Sequence, residues 1–158
     1  MSTGDGAPPN ASSTPSLRIT SIRAADAAPT LRLPLYLSRV PAGFPSPADD
    51  YVESKLDLNA HVIRHEAATF YLRVDGRSME KAGIHDGDLI VVDRAIEPED
   101  GAVVVAALDG ELTVKRYRVQ ADGAVLEPDA DGYDSIRVHE GQHMVVWGVV
   151  THVIHEVS

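Results

Sequence analysis

The second half of the chain is a succession of short apolar runs. Thr69–Val74, Asp88–Asp93, Ala102–Leu108, Glu111–Val119, Ala124–Glu127 and His143–Val157 are rich in Val, Ile and Leu, with turn signals between them. Asp109-Gly110 is a two-residue hairpin signal, and Asp86-Gly87 and Asp122-Gly123 mark other turns. Strands this numerous and this closely spaced predict a mostly β fold, a compact bent antiparallel sheet or small barrel. No internal repeat is present.

The first part of the chain has a different character. Residues 1–30 are rich in Ala, Ser, Thr, Pro and Gly and poor in large apolar side chains. Such a stretch buries too little surface to offset its ordering entropy, so most of it is expected to be disordered. Leu33, Leu35 and Leu37 then alternate as one face of a strand would, and Pro34 restricts that strand to an edge. Pro41-Ala42-Gly43-Phe44-Pro45 reads as an exposed, extended hinge. Ser46-Pro47-Ala48-Asp49-Asp50 reads as a helix start, with Ser46 as N-cap, Pro47 at the first position and two acids in the first turn. Val52 and Leu56, four apart, would share the buried face of that helix, and Leu58–Ile63 would form a second short segment.

Charge narrows the partners. The 158 residues carry a net charge of −10, against the basic face that duplex DNA requires. Arg18, Arg23, Arg32 and Arg39 against Asp5 and Asp26 make residues 1–42 mildly basic on an acidic body. There is no cysteine, which removes disulfides, thiolate catalysis and Cys-type zinc sites and fits a cytoplasmic protein. The apolar runs are too short to span a bilayer, and the N-terminal stretch lacks the pattern of a signal peptide.

One turn stands out chemically. Gly76-Arg77-Ser78-Met79 follows the strand Thr69–Val74 and precedes the short helical turn Met79–Gly83. Gly76 permits a tight backbone and leaves Ser78 at the mouth of the turn. A serine there is a structural turn residue unless a base takes its proton, and the hydrolase elbow Gly-x-Ser-x-Gly is incomplete here. Lys115 offers a base. It alternates with Thr113 and Tyr117 on one side of a strand whose other side carries Leu112, Val114 and Arg116. A strand lysine in water is inert. One turned inward loses pKa to desolvation and can accept a serine proton, with backbone N–H groups at the tight turn as the oxyanion site. Ala42-Gly43, a bond between small residues in an extended stretch, suits a shallow active site as well as it suits a plain hinge.

The histidines give little. His61 and His65 are spaced for one helix face but lack a third ligand, and His152 and His155 would point to opposite faces of a strand, so no metal is expected. Asp75, Asp86, Asp88 and Asp93 are read as turn and solvation residues.

From about Leu33 onward the chain resembles the LexA/UmuD family of self-cleaving serine peptidases. The resemblance rests on Phe44–Glu53, Asp57-Leu58-Asn59, Gly76-Arg77-Ser78-Met79, Gly83–Leu89, Val92-Asp93, Asp109–Arg116 and the closing Trp147–Ile154, in family order. It implies a bent antiparallel fold, usually a homodimer, with no cofactor. It makes Ser78 the nucleophile, Lys115 its general base and Ala42-Gly43 the scissile bond. The backbone amides of Arg77 and Ser78 are the expected oxyanion donors. Two parts follow: a flexible N-terminal arm, residues 1–42, removed by self-cleavage, and a β-rich peptidase and dimerisation domain, residues 43–158. The implied partners are a RecA–single-stranded DNA filament acting as co-protease and a Y-family polymerase subunit of the UmuC type, in SOS-response lesion bypass. Residues 1–30 are too short and too poor in helical pattern for the winged helix-turn-helix of a repressor. A non-catalytic dimeric module that binds a polymerase and the regulatory domain of a LexA-like repressor are the alternative readings.

Overall fold

The computed structural model describes residues 17–24, 30–36, 52–139 and 141–158. The strands in chain order are β1 (Arg18–Ala24), β2 (Arg32–Tyr36), β3 (Val52–Asp57), β4 (Thr69–Asp75), β5 (Leu89–Asp93), β6 (Val103–Leu108), β7 (Glu111–Gln120), β8 (Gly123–Glu127), β9 (Ile136–Arg137) and β10 (Met144–Ile154). One short α-helix, α1 (Leu58–Val62), lies between β3 and β4.

Alternation along β4 sets its faces: Leu72 and Val74 are buried, while Arg73 and Asp75 are exposed. β5 is different, because Ile90, Val91, Val92 and Asp93 are all buried, so this strand is covered on both sides. Its continuous apolar run is the sequence mark of that position. The large sheet has the order β1-β4-β5-β10-β6-β7-β8-β9, and every pairing in it is antiparallel. The turn joining β6 to β7 carries Asp109 at φ 49° and Gly110 at φ 86°. Two positive φ angles in succession make the primed turn whose twist suits a hairpin. Leu72, Val74, Met79, Ile84, Ile90, Val92, Val105 and Val114 form the main core, with Leu17 among them. Val104, Ala106, Leu126 and Val149 form a second core on the other face. Val104, Val105 and Ala106 thus alternate between the two cores, as period two requires.

The sheet is rolled. Four strand-to-strand steps separate β4 from β7 in the order, which on a flat sheet is roughly 19 Å at the usual interstrand spacing. Yet the side chains that follow β4 and lie on β7 meet, as described below. β10 supplies part of the bend. Its register shifts against β5 between Val150 and His152, and against β6 between Val146 and Gly148. Bulges on both edges of one strand increase local twist and curvature. At Gly148 a Cβ would stand 2.6 Å from Val92 Cγ1 and 3.3 Å from the Asp93 carbonyl oxygen, so any side chain at this bend forces its neighbours to shift.

Two expectations fail in the N-terminal part. Arg18–Ala24 is a strand, paired with β4 from Arg18 opposite Asp75 to Ala24 opposite Phe70, although the composition of residues 1–30 pointed to disorder. An open sheet edge supplies the hydrogen bonds that this segment cannot supply for itself, and Leu17 adds a fully buried anchor. Val52 and Leu56 lie not on a helix but on β3, which pairs with β2 to place Leu33 opposite Leu56 and Pro34 opposite Lys55. Cross-strand pairing outweighs the local helix pattern here. The helix begins instead at Asp57, whose side chain accepts from the amides of Asn59 and Ala60. The Ser46–Asp50 cap and Leu37 lie outside the described residues.

Candidate active site

β4 ends at Asp75, and the chain reverses at Gly76, where φ is 105°. A left-handed backbone at this point costs glycine nothing. The Gly76 amide donates to Asp86 Oδ1 at 2.8 Å, which ties the start of the turn to the loop before β5. That N–H holds the Asp86 carboxyl below its ordinary pKa, while a hydrogen bond to Asp86 raises that of Asp75. A short 3₁₀ turn, Glu80–Ala82, follows, and Met79 and Ile84 bury their side chains on either side of it. Ser78, immediately before Met79, is fully buried.

The loop after β8 clamps the same turn. The Asp129 amide donates to the Ser78 carbonyl at 2.7 Å, and the Lys81 amide donates to the Asp129 carbonyl at 2.8 Å. The Arg116 guanidinium on β7 donates to Asp129 Oδ2 through both Nε and Nη2, and Nη1 donates to the Gly101 carbonyl. Arg116 therefore fixes, through Asp129, the backbone that carries Ser78. Neither residue stands out in the sequence, because their role depends on a loop meeting a turn some 50 residues earlier in the chain.

Lys115 enters from β7, one residue away, on the opposite face from Arg116. Only 2% of it is exposed. Its Nζ lies 3.2 Å from Ser78 Oγ, 3.2 Å from Thr113 Oγ1 and 3.0 Å from the Val114 carbonyl oxygen. Among the described residues no carboxylate pairs with it. Burial alone pushes its pKa down from 10.5 to about 8. As the ammonium, Nζ has three protons for these three oxygens; as the neutral amine it keeps two, and its lone pair can accept the Ser78 hydroxyl proton. Alternation puts Thr113 on this face, but no sequence signal marks its hydroxyl as a partner for the amine.

Ser78 Oγ also accepts a hydrogen bond from the Leu17 amide at 3.0 Å. Ala42 and Gly43 lie outside the described residues. Thus Ser78, Lys115 and Thr113 come together as the alternation of β7 allows, joined by a residue, Leu17, that no motif marks.

The histidines and aspartates are less idle than the sequence suggested. His61 is at the end of α1 while His65 lies beyond it, with His65 Nδ1 2.6 Å from Asp93 Oδ2, so the two do not share a helix face. Asp88 and Asp93 are buried partners of side chains rather than solvated turn residues. His155 Nδ1 is 2.6 Å from Asp88 Oδ1, and the His85 amide donates to Asp88 Oδ2 at 2.7 Å. His85, Asp88 and His155 offer ligand atoms within 4.8 Å of one another, a donor set that suits a borderline divalent ion. Asp88 is already satisfied by its protein partners, so the cluster is complete as a structural clasp between the loop before β5 and the end of β10. His152 instead meets Thr151 Oγ1.

Comparison with known proteins places the chain in a family. The family model described as Peptidase S24-like matches residues 34–151. The chain belongs to the S24-like peptidase family. Protein ImpA of Salmonella typhimurium is 51% identical over 122 residues, covering 77% of this chain and 83% of that protein. Protein MucA of Escherichia coli is 41% identical over 124 residues, covering 78% of this chain and 85% of its own. The LexA repressor of Leptothrix cholodnii is 44% identical over 108 residues, which span 68% of this chain and 46% of the repressor. The family resemblance read from the sequence is thereby borne out, as is the mostly β, antiparallel fold. Among the described residues no helix is long and apolar enough to cross a membrane.

Proposed function

We propose that the chain is a self-cleaving serine peptidase whose one substrate bond is its own Ala42-Gly43. The observation that carries this reading is the buried Lys115 Nζ, 3.2 Å from Ser78 Oγ and without a carboxylate partner among the described residues. Ser78 Oγ attacks the Ala42 carbonyl carbon, and its proton passes to Lys115 Nζ. The tetrahedral oxyanion is held by the backbone amides of Arg77 and Ser78. Its collapse expels the Gly43 nitrogen, which takes the proton from Lys115. Water then attacks the Ala42 acyl ester of Ser78, again with Lys115 as base, and leaves a carboxylate on Ala42 and a free serine. Residues 1–42 are released and residues 43–158 remain as the working body.

Likeness to ImpA and MucA supports the wider role, an accessory subunit of an error-prone translesion polymerase in the SOS response, acting in the cytoplasm. In that role a RecA–single-stranded DNA filament stimulates the cut, and the trimmed dimer joins a Y-family polymerase subunit of the UmuC type. Leu33 and Leu35 on β2 are 59% and 40% exposed, and Leu31 beside them 66%, an apolar strip that a second uncut copy would cover; it leaves with residues 1–42, so the trimmed dimer is held by surfaces of residues 43–158. Incubation of the purified chain at rising pH, with and without activated RecA filament, followed by intact mass measurement, tests the reaction. Fragments ending at Ala42 and beginning at Gly43 are expected. Ser78→Ala and Lys115→Ala are expected to stay whole while folding normally. A wild-type chain that remains intact under all these conditions overturns the reading.

A further inference from the structure

β1 lies upstream of the Ala42-Gly43 bond, yet it occupies the groove beside Ser78. Its ladder with β4 runs from Arg18 opposite Asp75 to Ala24 opposite Phe70. Leu17, just before it, has no exposed surface and packs in the main core with Leu72, Val74, Met79 and Val114. On the far side, Arg18 and Ile19 border Leu112 and Thr113 of β7, so the strand bridges the two elements that bring Ser78 and Lys115 together. The Leu17 amide points at Ser78 Oγ from 3.0 Å. We propose that Leu17–Ala24 is a tethered peptide ligand of the active-site groove, one that excludes the Ala42-Gly43 bond until the strand peels from β4. This rests on the reading of Ser78 and Lys115 as the reacting pair.

The pose of Leu17 is that of a ligand and not of a substrate. An N–H bond lies in the plane of its peptide group, so an oxygen that accepts from it sits towards the edge of that peptide. Attack on the carbonyl carbon of the Ser16-Leu17 bond requires approach from the face instead. The same hydrogen bond engages a lone pair of Ser78 Oγ that the nucleophile needs. Lys115 and Leu17 both hold Ser78 Oγ, and its full burial leaves no path for a second peptide.

The tether gives the device its direction. In the intact chain the strand is bound intramolecularly, at the high effective concentration of a short connection. Cleavage at Ala42-Gly43 turns it into part of a separate peptide, held by its ladder, the Leu17 anchor and the pairing of β2 with β3. It then dilutes away and opens both the groove and the β4 edge. That edge suits an extended peptide carrying a large aliphatic residue at the position of Leu17.

The test uses the full chain and a fluorophosphonate, which reacts with an accessible activated serine whether or not the self-cut occurs. Leu17→Ala removes the anchor. Ser21→Pro/Ile22→Pro removes a ladder bond, since of two consecutive strand amides one faces β4. Both variants are expected to label at Ser78 about tenfold faster or more than wild type, as the fraction with an open groove rises. A synthetic peptide of residues 14–26 is expected to slow the labelling of Leu17→Ala again, and a scrambled peptide to leave it unchanged. If Ser78 resists the probe in all three proteins, amide exchange over residues 69–75 decides: faster exchange in both variants supports the strap, and unchanged exchange overturns it. Equal labelling rates in variants and wild type also overturn it, as does a product that begins at Leu17, which would make the strand a substrate. Absence of the Gly43 product with faster labelling would sink the self-cleavage reading and leave the strap standing.

Discussion

At the scale of single residues, the chemistry depends on one amine being kept dry. Lys115 has its pKa pushed down to about 8 by burial, so near pH 7 roughly a tenth of it is neutral, and above pH 9 nearly all of it is. Self-cleavage is therefore expected to rise about tenfold between pH 7 and pH 9 and then level off, which a series of timed digests read by mass would check. The same shift affects folding with a definite sign. A lysine that prefers to be neutral when folded binds fewer protons there than in the unfolded chain between pH 8 and 10.5, so its contribution to stability grows across that window and its burial penalty is fully present below it. Lys115→Met is accordingly expected to be inert as a peptidase but at least as stable as wild type at pH 7, as thermal melts would report. Thr113→Val removes one acceptor from the amine and is expected to lower the apparent pKa of cleavage while slowing it several-fold at most. Alternation in Glu111–Tyr117 placed Lys115 and Thr113 on one face, and Gly76 marked the turn at Ser78; these were legible because each depends on neighbours in sequence. Leu17 and Asp129 were not, because a strand edge and a distant loop bring them to Ser78.

At the scale of elements, β10 matters most for shape. It is the strand between β5 and β6, it is bulged on both sides, and at Gly148 it passes so close to Val92 that a methyl group has no space. Gly148→Ala is expected to cost about 1–3 kcal/mol in urea unfolding, with the cut slowed beyond what stability alone explains, because the bend it disturbs sets the Ser78–Lys115 distance. Next to it, Arg94 stacks over Trp147 at 4.7 Å while its Nε donates to the Trp147 carbonyl, a brace across the same bend. The strands of the second half were legible almost to the residue, since their apolar runs and the Asp109-Gly110 turn agree with the tertiary pairing. β3 was misread as a helix because the spacing of Val52 and Leu56 fits either period over so few residues. β1 was missed because its pattern is weak and the edge of β4 completes it. The two-residue strand β9 has no sequence signal of its own.

For the whole molecule, the apolar strip of Leu31, Leu33 and Leu35 on an acidic body predicts how copies meet. On the proposal that uncut copies pair through this strip, Leu33→Asp/Leu35→Asp is expected to shift the intact chain from dimer to monomer in light scattering at micromolar concentration, while the pH dependence of the proposed cut stays as it is. The rolled sheet has a larger consequence. Ser78 and Lys115 stand four strand-steps apart in the sheet and touch only because it closes on itself. The pair is therefore a clasp that holds only when every intervening strand is in register. A copy that has slipped, frayed or failed to finish folding has its two halves of the clasp apart and stays uncut. On the proposed self-cleavage, processing then doubles as proofreading of the protein's own assembly: a severed copy would certify that the sheet beneath it was whole at the moment of the cut.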